Sequence, residues 1–217
     1  MAKECFAPRA ALFLGDGRSG GDALTSVEAI GDWLAALLDT AHVPTAMLVG
    51  HSLGSLAVLA TTARHPDRVI KMALLGPSVP MPVSDVLLDA AKANDHVAYE
   101  LINGWSFSPG KQLGGNQVPG MWMTGNAMRL MERTRPGMLH IDLIACNTYA
   151  AGLEAATAVR CPALLILGAR DLMAPLKNTT ALIAALPQPH VVTLADCGHS
   201  LMAEQPYAVL DALVEFL

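Results

Sequence analysis

Three short stretches of this chain carry side chains whose types and order suit one reaction. Gly50-His51-Ser52-Leu53-Gly54 sets a serine inside a Gly-x-Ser-x-Gly pattern. Gly168-Ala169-Arg170-Asp171 ends on a carboxylate, and Ala195-Asp196-Cys197-Gly198-His199 ends on an imidazole. A serine hydroxyl is a poor nucleophile at neutral pH. It needs an imidazole to take its proton, and a carboxylate to fix the imidazole tautomer and stabilise the imidazolium. Ser52, Asp171 and His199 fit those roles as nucleophile, acid and base, and the chemistry would be attack on an acyl carbonyl. Each has a bland rival reading: a polar residue in a glycine turn, a helix cap and a satisfied core histidine. Asp142 sits in a helical stretch far from the other two, and Asp196 lies only three residues before His199, so neither competes well for the acid. His51 neighbours the nucleophile and is expected to point away from it, in a structural role. His65, His96, His140 and His190 read as helix-end, insertion or strand-start residues.

The elements that must position these groups are legible as apolar runs. Ala46 to Val49 reads as a strand, and the following turn leads into an apolar helix ending before Pro66. A strand that turns sharply into a helix through a serine forces a strained backbone there and lifts Oγ clear of the sheet. Gly50 and Gly54 are expected to be required because the helix crosses back close to the strand and a Cβ at either would collide. The Leu53 N–H, at the start of that helix, is a natural oxyanion donor. Val69 to Leu75, Ala163 to Leu167 and His190 to Leu194 read as further strands, and Asn178 to Leu186 and Pro206 to Leu217 as helices. Strands alternating with helices imply a parallel sheet with right-handed crossovers. In such sheets ligands bind beyond the carboxyl ends of the strands, where Ser52, Asp171 and His199 all fall. Thr25-Ser-Val-Glu28 resembles a capping box opening an amphipathic helix that carries Ile30, Trp33, Leu34, Leu37 and Leu38.

Between residues 78 and 152 the strand signal disappears. Helical pieces at Asp85–Ala93, His96–Asn103, Ala127–Arg133 and Leu139–Asn147 alternate with turns rich in Gly, Pro and Trp. The chain therefore divides into a first core part (1–77, with the nucleophile), a helical cap (78–152) and a second core part (153–217, with the acid and the histidine). Trp105, Met121, Trp122 and Met123, with Phe107 and Tyr149, either line a substrate pocket under that cap or form the cap's own core. Arg129, Arg133 and Arg135 form a small basic cluster, of the kind usually solvated and partly paired.

At 217 residues and 22.8 kDa the chain suits one domain with an insertion. A net charge of −5 argues against a nucleic-acid surface. No apolar run approaches the roughly 18 residues that span a bilayer. The basic start is followed by only a short apolar stretch, Ala10 to Leu14, too little for a signal peptide, so a cytoplasmic location is expected. Cys5, Cys146, Cys161 and Cys197 lack metal-binding spacing and read as reduced, mostly buried thiols. The glycine-rich run Asp16 to Asp22 lacks the Lys-Ser/Thr of a phosphate loop.

Together, GDGRSGG (15–21), MLVGHSLGSLAVLATTARHPDRV (47–69), CPALLILGARDLMAP (161–175) and CGHSLMAEQPYAVLDALVEFL (197–217) resemble the α/β-hydrolase superfamily of serine hydrolases, in its capped esterase and carbon–carbon hydrolase branch. The resemblance implies a mostly parallel sheet with helices on both faces and an inserted helical cap. It implies a Ser-Asp-His triad working without metal or cofactor on a small-molecule substrate. A carboxylic ester with an apolar acyl group is the first expectation, and a diketone cleaved at a C–C bond is the rival. Two departures stand out. The family's GHGxS oxyanion loop reads Gly15-Asp16-Gly17-Arg18-Ser19, and the strands that precede it in the family have no counterpart before Met1. The expectation is an N-terminally shortened hydrolase with one oxyanion donor in place of two. A bare strand edge at residues 46–49 would then be a template for homodimer formation. A third reading follows from that deficit: an inactive hydrolase-fold protein that binds a ligand or partner through its cap groove.

Overall fold

The structure, a computed structural model, describes residues 20–217. The expected strand at residues 10–14, the loop at 15–19 and its oxyanion role lie outside the described residues, as does the question of what borders the strand at 46–49.

Four strands, β1 (Ala46–His51), β2 (Val69–Leu75), β3 (Ala163–Gly168) and β4 (His190–Leu194), form one parallel sheet in chain order. The register pairs Leu48 with Met72, Leu74 with Leu165 and Leu165 with Val191. Successive strand residues face opposite ways, and the sequence fills both faces. Met72, Leu74, Leu165 and Leu167 pack on Leu56 and Leu59 of α2 (Leu53–Arg64) and Leu182 of α9 (Thr180–Ala185). Ala73, Leu75, Leu164 and Ile166 pack on Leu201 of α10 (Leu201–Glu204) and Val209 of α11 (Pro206–Phe216). Burying each Leu or Ile here contributes about 1.5–3 kcal/mol before entropy is counted. With helices on both faces, β3 and the Met72–Leu75 half of β2 need no polar alternation, which is why they read as apolar runs.

Helix α1 (Val27–Thr40) is capped by Ser26, whose Oγ accepts from the Ala29 N–H at 3.1 Å. The cap lies one residue later than a box built on Thr25 and Glu28 would put it. Helices α1 and α2 meet closely at Gly31, where an added Cβ would lie 3.1 Å from the Thr61 nitrogen. Asp32 ties the same pair together by accepting from Arg64 at 2.7 Å and pairing with His65 at 2.8 Å; the Arg64 guanidinium is the main reason its carboxyl is held down to about 2.

Between β2 and α8 (Gly152–Ala158) the chain forms α3 (Asp85–Lys92), α4 (Val97–Ser106), α5 (Pro109–Gln112), α6 (Met123–Met131) and α7 (Met138–Thr148). Leu87, Ala91, Ala98 and Leu143 build a small core of their own, with Leu101, Ile102 and Trp105 against it. His96 at the start of α4 pairs with Glu100 at 3.1 Å and with Glu132 at 3.0 Å, joining α4 to the end of α6. Helix α8, not foreseen as a separate element, contributes Ala156 to the main core rather than to the insertion. Among the described residues no helix is long and apolar enough to cross a membrane.

Candidate active site

Ser52 stands at the turn from β1 into α2 with φ 53° and ψ −122°. That region is uncommon for a residue with a side chain and is held only where surroundings over-determine it. Here the Ser52 N–H donates to the Leu75 carbonyl at 3.0 Å, and the Ser52 carbonyl accepts from the Ser55 Oγ at 2.6 Å. Gly50 is required: a Cβ there would overlap the carbonyl of Gly54. Gly54 differs from expectation, since an added Cβ meets nothing among the described residues. The close approach is between a Cβ at 50 and the backbone of 54, so only one of the two glycines is sterically demanded. Leu53 is the first residue of α2. Its N–H is one of the donors that a helix start leaves without an intrahelical partner.

Asp171 follows β3 in a tight turn. Its Oδ1 accepts from the backbone N–H groups of Met173 at 2.8 Å and Ala174 at 2.7 Å. Its Oδ2 lies 2.8 Å from the His199 Nδ1. The aspartate thus caps its own turn, rather than the helix that follows, and holds the imidazole. Asp171 and His199 are each 5% exposed, dry enough for that bond to fix the ring.

His199 is braced from several sides. Gly76, at φ +55° beyond β2, brings its Cα against the ring, and a Cβ would lie 3.1 Å from both Nδ1 and Cε1. The N–H groups of Ala169 and Arg170 donate to the carbonyls of Leu194 and Cys197 at 2.9 and 2.8 Å, tying the Asp171 turn to the His199 loop. His51 packs against His199. Its Nε2 lies 2.8 Å from the His199 carbonyl, so it donates there, and the two rings sit 4.7 Å apart. Loss of hydration among its neighbours and the adjacent His199 pull the His51 pKa down to about 4, which keeps it a neutral donor. Cys197, on the same loop, has its thiol pushed up to about 12, chiefly by burial, and belongs to the core.

Ser52 and His199 open onto one cavity of about 290 Å³ between the sheet and the inserted helices. Met81, Val83, Leu87, Trp105, Leu143 and Leu172 make most of its wall, and no Lys or Arg is among the described lining residues. Of the four residues suggested for the pocket, Trp105 lines it. Met121, Trp122 and Met123 line a separate depression with Lys111, Gln112 and Asn116 on the insertion. Trp122 is pinned there by its packing against Gly125, and Met123 is buried. The wall residues Met81, Val83 and Leu87 come from the stretch after β2, where a Pro-rich run gave no pocket signal in the sequence. In the basic cluster, Arg129 pairs with Glu132 at 2.6 Å, and Arg135 donates to the Gly21 carbonyl at 3.2 Å.

Comparison with known proteins gives a consistent picture. The family described as alpha/beta hydrolase fold matches residues 13–206. A pimeloyl-[acyl-carrier protein] methyl ester esterase of Chromobacterium violaceum is 31% identical over 199 residues, covering 88% of this chain and 75% of its own. The esterase YbfF of Escherichia coli K12 is 27% identical over 212 residues, covering 93% and 78%. Among solved structures, the enol-lactonase of Burkholderia xenovorans LB400 superposes with a TM-score of 0.82 at 22% identity, over 93% of this chain and 77% of that one. At that identity the superposition speaks for the fold.

Proposed function

This chain belongs to the alpha/beta hydrolase fold family, and on that premise we propose that it is a serine hydrolase cleaving a neutral carboxylic ester with a small or medium apolar acyl group. The observation that carries the reading is the single apolar cavity onto which Ser52 and a carboxylate-held His199 both open. Relatives named as esterases support ester hydrolysis in general.

In this reading Ser52 Oγ attacks the ester carbonyl carbon while His199 Nε2 takes its proton. Asp171 holds the Nδ1 proton and stabilises the imidazolium. The tetrahedral oxyanion forms beside the Leu53 N–H; losing such a donor typically costs about 3–4 kcal/mol of transition-state stabilisation. The imidazolium then protonates the leaving alcohol, and the C–O bond breaks to give an acyl-enzyme. Water, deprotonated by the same imidazole, releases the acid and restores Ser52. The acyl chain lies along Met81, Val83, Leu87 and Leu143, where its burial replaces water at no polar cost.

Cleavage of a C–C bond in a diketone would use the same triad. An ester is favoured over a carboxylate-bearing diketone because a carboxylate in this cavity would meet no cation among the described lining residues. The test is fluorophosphonate labelling of purified protein together with p-nitrophenyl butyrate turnover, with Ser52→Ala as control. Labelling and turnover that disappear in the variant are expected. Folded protein that neither labels nor turns over would overturn the reading.

A further inference from the structure

The proposed triad leaves one buried carboxylate unused. Glu204, at the end of α10, is completely buried. Its Oε1 accepts at 2.9 Å from the N–H of Gly198, the residue immediately before His199. Its Oε2 accepts from the Ser108 Oγ at 2.5 Å and the Ser108 N–H at 3.2 Å, in the segment joining α4 to α5. Next to this bridge the Ser200 N–H donates to the Ser106 carbonyl at 2.9 Å. The fit is tight: a Cβ on Gly198 would lie 2.7 Å from both Glu204 Oε1 and the Ser108 nitrogen.

A carboxylate taken wholly out of water is retained only where donors satisfy it. All the donors to Glu204 belong to two segments: the loop that carries the base, and the root of the inserted helices. Ser106 to Ser108 directly follow Trp105, which lines the substrate cavity. A shift of this root would therefore reach both the cavity wall and the base.

We infer that Glu204 is a positioning residue for His199, and that it locks the base's loop to the Ser106–Ser108 root of the inserted helices so that the two move as one body. It acts through the Gly198 peptide and touches neither substrate nor Ser52. The inference rests on the serine hydrolase reading for its kinetic arm. Its structural arm does not.

Glu204→Gln preserves shape but can present an acceptor to only one of the two segments, because its amide nitrogen must face donors on the other side. Ser108→Ala removes the hydroxyl alone and leaves Glu204 bonded to both backbone N–H groups. With p-nitrophenyl butyrate, Glu204→Gln is expected to lower kcat about 10- to 100-fold with KM within threefold, since misplacement of about 1 Å at a reacting group costs up to ~10²-fold. Ser108→Ala should lower kcat less, and adding it to Glu204→Gln should cost less than the two separately, because both act on one bridge. Peptides covering 197–205 and 104–110 should gain amide hydrogen exchange together in Glu204→Gln, while those of β2 and β3 stay protected. If exchange is unchanged in either peptide, the lock is refuted whether or not the enzyme turns over. If exchange rises in both but kcat holds within twofold in an active wild type, the positioning role is refuted and the hydrolase reading stands. A wild type that fails to label with fluorophosphonate refutes the hydrolase reading and, with it, the positioning role, while the exchange result still decides the lock.

Discussion

Replacing Asp171 by Asn is the sharpest test of how the base is oriented. The side chain of Asp171 has fixed polarity requirements on its two oxygens. Oδ1 accepts from the Met173 and Ala174 N–H groups at 2.8 and 2.7 Å, and Oδ2 accepts from His199 Nδ1 at 2.8 Å. An asparagine here keeps its carbonyl oxygen on the two backbone donors. Turning it over would lose two hydrogen bonds and leave buried donors unsatisfied, which costs about 2–6 kcal/mol. The amide nitrogen therefore faces Nδ1, which must become an acceptor, and the imidazole proton moves to Nε2. The base then presents a proton where it should present a lone pair. Working through the flipped state retains between about one part in 30 and about one in 3 × 10⁴ of the activity, at 1.36 kcal/mol per tenfold. The imidazolium also loses its carboxylate partner. A fall in kcat of about 10³- to 10⁴-fold is expected for p-nitrophenyl butyrate, with KM within a few-fold, in line with what such a change costs other triads. Thermal unfolding should move by only a few degrees, because the turn keeps its cap. A kcat within tenfold of wild type would refute the view that Asp171 sets the tautomer.

Gly76→Ala should lower Tm by about 2–8 °C, since a left-handed alanine costs about 1–2 kcal/mol. It should also lower kcat several-fold by pressing a methyl on the His199 ring, while Gly152→Ala, remote from the ring, should leave kcat per folded molecule unchanged. Stability should fall on mild acidification because of His51. Its folded pKa is about 4 against 6.5 in the unfolded chain, so between those values only the unfolded chain takes up the proton. Stability is therefore highest above pH 6.5 and declines toward pH 4, by at most about 3 kcal/mol from this residue. His51→Gln, which keeps an N–H for the His199 carbonyl, should flatten that decline in urea unfolding series at pH 7.5 and 4.5; identical slopes would refute it. Finally, aryl esters of butyrate should outperform monoesters of succinate by at least about tenfold in kcat/KM, because an unpaired carboxylate in the apolar cavity costs at least ~1.4 kcal/mol. Equal rates would show that a cation reaches the site.

The sequence announced the parts of this molecule that follow from local pattern. Four mainly apolar runs bounded by turns became β1 to β4, the clearest being β3, whose six residues are all buried. The glycine-flanked serine could be read because Gly50 has a steric reason to be glycine. What could not be read depends on contacts between distant segments. Glu204 sits in a stretch, Leu201 to Gln205, that looks like any helix start with an outward acid; only the fold brings Ser108 over it. His51 looks like an elbow residue facing away because its partner is a backbone carbonyl, and a carbonyl has no sequence signal. Trp122 and Met123 are apolar enough for a pocket, yet the insertion folds them around Gly125 at a distance from Ser52. Composition indicates that a residue wants cover but does not say which neighbour supplies it.

The placement of the base explains why so many contacts converge on it. Among the described residues β4 is an edge of the sheet, and His190, Val191 and Thr193 are exposed. It is the least buried of the four strands, so its own packing cannot hold the loop that follows. The missing rigidity comes from the neighbours: Asp171 on the ring, Gly76 behind it, His51 on the carbonyl, Glu204 on the preceding amide and Ser106 on the following one. Each bond starts from a different element, and together they fix both the ring and the peptide that carries it. Net hydrogen-bond contributions of about 1 kcal/mol apiece are individually small. Convergent on the three residues Gly198 to Ser200, they restrain a loop that an exposed strand would otherwise leave loosely held. That is how a histidine beyond an exposed strand can be held at the same cavity as a serine that lies three strands away.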